Sequence, residues 1–156
     1  MLQVGDPAPP FELESTSGGK LSLDSFRGKT LVLYFYPRDF TSGCTREAEA
    51  FRDASKKLAA RGAVVVGVSR DSIASHCKFR DKLGLDFPLL SDPDGRVTRA
   101  YGAWGTKTMY GKKTEGVVRS TFVIGPDGRI RKIFRNVKVD GHVDDVLAAL
   151  SPSKGT

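Results

Sequence analysis

TLVLYFYPRDFTSGCTREAEAFRD, residues 30–53, contains a strand, a turn and the start of a helix in succession. Thr30–Tyr36 is a continuous apolar, β-branched and aromatic run that stops at Pro37, as a buried strand does. A helix is expected from Thr41 to Arg61, with Thr41 or Ser42 as N-cap and Gly62 closing it. Its apolar positions Cys44, Ala48, Phe51, Ala54 and Leu58 recur every three or four residues and make one buried stripe. Ala63–Val68 (AVVVGV) is a second buried strand, and Ser72–Leu83, stopped by Gly84, is a second helix carrying Cys77. Strands separated by helices pair in parallel.

Farther along, Phe87–Leu90 is a short strand, and Asp92-Pro93-Asp94-Gly95 is a turn leading to a helical turn through Tyr101. Residues 102–118, rich in Gly and Lys, are expected to form a long loop. Ser120–Ile124 and Ile130–Phe134 flank Gly125-Pro126-Asp127-Gly128 and predict a hairpin. The last helix, from His142 to Leu150, places Val143, Val146, Leu147 and Leu150 on one face, and a frayed tail is expected at 151–156. The residues before Thr30 are read as irregular. Together these elements predict an α/β protein: a central mixed β-sheet flanked by helices on both faces, with the thioredoxin-like fold as the most economical match. Residues 1–156 form a single domain.

Composition agrees with this reading. Hydrophobic residues are 39% and charged residues 28% of the chain, near the globular average. A chain of this length hides about two-thirds of its surface on folding, so its core needs no staples. Disorder, collagen-like repeats and a disulfide scaffold are excluded. No apolar run approaches the ~18 residues of a membrane span. The first twenty residues lack a charged-then-apolar export signal, so a cytoplasmic protein is expected. Net charge is +7, and eleven of the basic residues lie between Arg96 and Lys138 against only Glu115 and Asp127. That half could attract phosphate or an acidic partner. It lacks a recognition motif or interleaved aromatics, so nucleic acid is not expected as a partner.

Two cysteines, Cys44 and Cys77, are too few for a structural framework and suit catalysis or redox chemistry in a reducing compartment. Cys44, Cys77, His76 and His142 show no repeated short spacing, which argues against a zinc site. Cys44 falls in the first turn of its helix, where unpaired amides and the positive dipole end favour an anion such as a thiolate. It could equally be a packing residue on the stripe it shares with Phe51 and Leu58, and the spacing alone admits both. His76 is expected at the surface or as a helix cap. Gly28-Lys29-Thr30 lacks the upstream glycine of a phosphate loop, and no Cys-x-x-Cys is present.

The residues ahead of Cys44 carry more information. Pro37, Thr41 and Cys44 form the pattern Pro-x-x-x-Thr-x-x-Cys, which resembles the active-site signature of the peroxiredoxins. YFYPRDFTSGCTREAEAFRD resembles the peroxiredoxin Q, or bacterioferritin comigratory protein, subfamily. So do GDPAPPFEL at the start, GVSRDSIASHCKF at 67–79, LDFPLLSDPDG at 85–95 and WGTKTMYGKKTEGVVRSTFVIGPDGRI at 104–130. The likeness runs through nearly the whole chain in order.

The resemblance implies a thiol peroxidase acting on hydrogen peroxide and small organic hydroperoxides, without cofactor or metal. It implies Cys44 as the peroxidatic cysteine, Thr41 as the hydroxyl at thiolate and peroxide, and Pro37 as a barrier to water. Arg119 is implied as the guanidinium that holds the thiolate and the departing oxygen. Glu47, one turn after Cys44, could orient that arginine. The position five residues after Cys44, where many of the subfamily carry a resolving cysteine, is Glu49. Other members carry the resolving cysteine in the following helix, and there the resemblance implies Cys77 as the resolving residue, with a Cys44–Cys77 disulfide reduced by thioredoxin. The resemblance further implies a monomer. The alternatives are a one-cysteine peroxidase served by an external thiol, and a redox-sensing or holdase-type binding protein.

Overall fold

A computed structural model describes residues 1–150, apart from the side chains of residues 107–109. The tail expected at 151–156 lies outside the described residues. Seven strands form one mixed sheet: β1 (Glu12–Ser15), β2 (Lys20–Ser22), β3 (Thr30–Phe35), β4 (Ala63–Ser69), β5 (Leu89–Ser91), β8 (Ser120–Ile124) and β9 (Ile130–Phe134). Their spatial order is β2-β1-β5-β4-β3-β8-β9. β3 pairs in parallel with β4, β4 in parallel with β5, and β8 lies antiparallel against β3. The crossovers and the hairpin thus sit where the alternation of segments put them.

β3 shows why the sheet is buried on both sides. Val32, Tyr34 and Tyr36 point into one core, and Leu31, Leu33 and Phe35 point into the other. The first core is covered by α1 (Ser42–Asp53), α2 (Ser55–Ala60), α3 (Ile73–Leu83) and α5 (His142–Ala149). The second is covered by α4 (Arg96–Ala100) together with Ala8, Phe11 and the 3₁₀ turn Leu23–Phe26. This is the α/β thioredoxin-like arrangement expected from sequence. Among the described residues, no helix is long and apolar enough to cross a membrane.

Three expectations are corrected. The helix expected from Thr41 to Arg61 is two helices, broken at Ala54, whose φ of −96° and ψ of 4° leave the helical range. The break lets Leu58 settle against β4 while the Cys44–Phe51 face stays on β3. The loop expected over 102–118 contains a two-stranded ribbon, β6 (Trp104–Met109) and β7 (Lys112–Val117), separate from the main sheet. Tyr110 and Gly111 turn it with φ of 53° and 77°, the positive pair that a tight two-residue hairpin needs. Lys112–Glu115 of β7 are all exposed and leave no apolar alternation to read. The irregular start holds β1 and β2, where Leu13 and Ser15 alternate inward and Gly18 and Gly19 make the turn.

Candidate active site

The site lies at the carboxyl end of β3, where parallel strands commonly present function. Pro37 ends the strand, Thr41 caps α1, and Cys44 follows in the first helical turn. The first intrahelical bond runs from Thr45 N–H to Thr41 O at 2.8 Å. The amides of Ser42, Gly43 and Cys44 therefore have no acceptor within the helix and give that end a positive potential.

Cys44 is 1% exposed. The pairing of Ser120 with Phe35 sets β8 so that Arg119, just before it, reaches the same edge of the sheet. Its Nη2 donates to Cys44 Sγ at 3.4 Å and its Nη1 to Glu47 Oε1 at 2.6 Å. Gly43 makes room for this: a Cβ there would lie 3.3 Å from Arg119 Nη2. Thiol, guanidinium and carboxylate thus meet, as the sequence reading grouped them. Burial opposes the charge on Arg119, and Glu47 and Cys44 more than restore it.

Glu47 is 1% exposed, and its Oε2 has no hydrogen-bond partner among the described residues. Burial raises its carboxyl from 4.5 to about 7 against the pull of Arg119. His142, which shares a hydrogen bond of 2.7 Å with Thr121 Oγ1, is pushed down from 6.5 to about 4, by burial first and by Arg119 in part.

These two groups give opposite slopes of stability with pH. The folded chain holds the Glu47 proton more tightly than the unfolded chain, so that stability is lost as pH rises from 4.5 to about 7. The unfolded chain takes the His142 proton first, so that stability is lost as pH falls from 6.5 to about 4. The slopes oppose one another in the shared window. Glu47→Gln should expose the loss toward acid, and His142→Phe the gain toward acid. Each swing is on the order of 3 kcal/mol. Urea midpoints at a series of pH values check this, and flat profiles in both variants would contradict it.

The remaining residues are placed as follows. Pro37 is half-buried. The Thr41 hydroxyl donates to Arg38 O at 2.8 Å, so its proton is engaged there. Cys77 is half-buried on α3, and both cysteines are free thiols. His76 departs from expectation: it is 0% exposed, neither a surface residue nor a cap. It shares the inner face of α3 with Phe79, three residues on. Its Nδ1 lies 2.7 Å from Asp39 Oδ2, and its Nε2 is 2.9 Å from Leu90 O. Sequence reasoning missed Asp39 altogether. Asp39, Asp71 and His76 bring three possible metal-ligating atoms within 4.8 Å of one another. Internal hydrogen bonds already occupy those atoms.

A family model described as the AhpC/TSA family matches residues 4–133. A putative peroxiredoxin bcp of Coxiella burnetii is 46% identical over 149 residues, covering 96% of this chain and 99% of that one. The chain belongs to the AhpC/TSA family, as a peroxiredoxin. Peroxiredoxin Bcp of Bacillus subtilis is 43% identical over 96% of this peroxiredoxin and 95% of its own length. A structure of Xanthomonas campestris peroxiredoxin Q superposes with a TM-score of 0.85 at 44% identity, covering 89% of this chain and 88% of that one.

Two further structures of the X. campestris protein have serine in place of cysteine at positions thirty-six residues apart. In this peroxiredoxin Cys44 and Cys77 are thirty-three apart, and thirty-six residues from Cys44 lies Arg80. The difference of three is just under one helical turn, so Cys77 and Arg80 lie on neighbouring turns of one side of α3. Arg80 donates to Thr16 O at 2.7 Å and pairs with Asp81.

Proposed function

We propose that this peroxiredoxin reduces hydrogen peroxide and small organic hydroperoxides with Cys44 as the attacking thiolate. The observation that carries the reading is the buried Cys44 Sγ at a helix N-terminus with Arg119 Nη2 donating to it at 3.4 Å. The X. campestris relative, described for alkyl peroxide reduction, supports the substrate class. The thiolate attacks one peroxide oxygen; an S–O bond forms and the O–O bond breaks. The departing oxygen takes a proton and leaves as water or an alcohol, and Cys44 becomes a sulfenic acid. Arg119 holds the thiolate and stabilises charge on the departing oxygen. Glu47 orients Arg119. Thr41, whose proton is engaged by Arg38, accepts the O–H of the hydroperoxide, and Pro37 walls the site from water.

Cys77 then resolves the sulfenic acid. Its sulfur bonds to Cys44 Sγ, and the hydroxyl leaves with the Cys77 proton as water. A dithiol reductant of the thioredoxin kind returns both thiols by exchange. The protein works as a monomer in the reducing interior of the cell. One observation favours a second reading, a one-cysteine peroxidase with an external thiol: the spacing of thirty-three rather than thirty-six.

Mass spectrometry of peroxide-treated protein under non-reducing conditions separates the two. The expected product is a Cys44–Cys77 linkage. Cys77→Ser should react with peroxide at the wild-type rate, accumulate sulfenic then sulfinic acid, and lose turnover with thioredoxin. A Cys77→Ser protein that turns over normally with thioredoxin replaces the disulfide reading with the one-cysteine reading.

A further inference from the structure

The turn ahead of Cys44 is fastened to the helix that carries Cys77 by a buried polar cluster. Asp39 Oδ1 accepts from the Tyr36 hydroxyl at 2.7 Å, and Oδ2 accepts from the Ser75 hydroxyl at 2.8 Å. The same Oδ2 meets His76 Nδ1 at 2.7 Å. Because Leu90 O can only accept, His76 Nε2 carries a proton and ties α3 to β5 at 2.9 Å. The Asp39 N–H donates to Asp71 Oδ2 at 2.8 Å, just ahead of α3. Every strong bond of Asp39 beyond Tyr36 therefore reaches toward α3.

Phe40, the next residue, is held in the left-handed region at φ 66°. A non-glycine residue there is strained, and such strain persists only where flanking contacts fix it. Its ring is 48% exposed yet lies 5.1 Å from the Phe79 ring of α3. Asp39 on one side and Phe79 on the other thus clamp the turn in the shape that presents Thr41 and Cys44. Cys77 directly follows His76. The segments that carry the two sulfurs are thus both tied to this cluster.

We propose that Asp39 and His76 are positioning residues forming a latch: closed, it holds the Cys44 turn for attack on peroxide; opened, it releases that turn and the first turn of α3 together for disulfide closure. This rests on the reading that Cys77 resolves Cys44. Weakening the latch then moves the two half-reactions in opposite directions, slowing Cys44 oxidation and speeding Cys44–Cys77 bond formation. Damage to the fold alone slows both.

The test uses the full chain and its Ser75→Ala, His76→Gln and His76→Leu variants. Rapid-quench mass spectrometry follows sulfenic acid, disulfide and sulfinic acid after hydrogen peroxide is added. His76→Leu should slow Cys44 oxidation and speed disulfide closure, each about tenfold, as expected for losing one buried charge-assisted bond. Less sulfinic acid should form at a given peroxide concentration. Ser75→Ala should move both rates the same way by a smaller factor, and His76→Gln, which keeps a donor toward Asp39, should lie nearer the wild type. Closure rates unchanged or slowed in both Ser75→Ala and His76→Leu overturn the proposal; if His76→Leu does not fold, Ser75→Ala decides by the same criterion.

Failure of the resolving reading appears in the wild type alone, as no Cys44–Cys77 linkage. The latch is then decided in reduced Cys77→Ser protein by hydrogen exchange, where adding Ser75→Ala should deprotect residues 38–44 together with residues 73–77. Deprotection confined to residues 73–77 overturns it.

Discussion

Cys44→Ser yields a folded protein whose peroxide consumption falls by about a thousandfold or more, to the level set by binding alone. The substitution replaces one buried atom with a smaller one and keeps the Arg119 guanidinium in place, so circular dichroism and the urea midpoint should change little. The chemistry changes wholly. A neutral hydroxyl at a helix N-terminus beside a guanidinium is a far poorer nucleophile than a thiolate. Peroxide consumption coupled to a dithiol reductant measures the loss. Near-normal turnover in this variant would remove Cys44 from the reaction.

The second large effect is expected at Arg119. Arg119→Met removes the donor at Cys44 Sγ and leaves Glu47 without its partner. Loss of a preorganised donor to developing charge costs about a hundredfold to a thousandfold in rate. The fold should survive, because Glu47 already holds its proton up to about pH 7 and can stay neutral once the guanidinium is gone. Arg119→Lys should recover only part of the rate. An ammonium is a point charge, whereas the fork of arginine spans Cys44 and Glu47 at once. Stopped-flow measurement of the oxidation step distinguishes these variants, and an Arg119→Met protein oxidised as fast as wild type would end the assignment.

The core of both the fold and the site was legible in the sequence because it is written in local pattern. TLVLYFY is continuous enough to require burial on both faces, and Cys44 stands a fixed short distance after its strand. Arg119 was legible only through the family likeness; as one basic residue among many it carries no local mark. The Asp39–His76 pair escaped for a related reason. Its partners lie thirty-seven residues apart, and a histidine on a helix looks the same in sequence whether it faces water or a buried carboxylate. The β6–β7 ribbon escaped because the exposed run Lys112–Glu115 shows no apolar alternation. The break at Ala54 escaped because the stripe from Cys44 to Leu58 runs through it unchanged.

Gly43 ties two distant parts of the chain into one unit of heritable variation. Because a Cβ at that position would lie 3.3 Å from Arg119 Nη2, tighter than an ordinary Cβ contact, a larger residue presses on the guanidinium, which has to give by a few tenths of an ångström. A substitution at 43 is therefore felt at 119, seventy-six residues away in the chain. How large a residue 43 accepts is set by how far the guanidinium can yield while still reaching the thiol. The two positions are thus coupled through the space that one absent methyl group leaves.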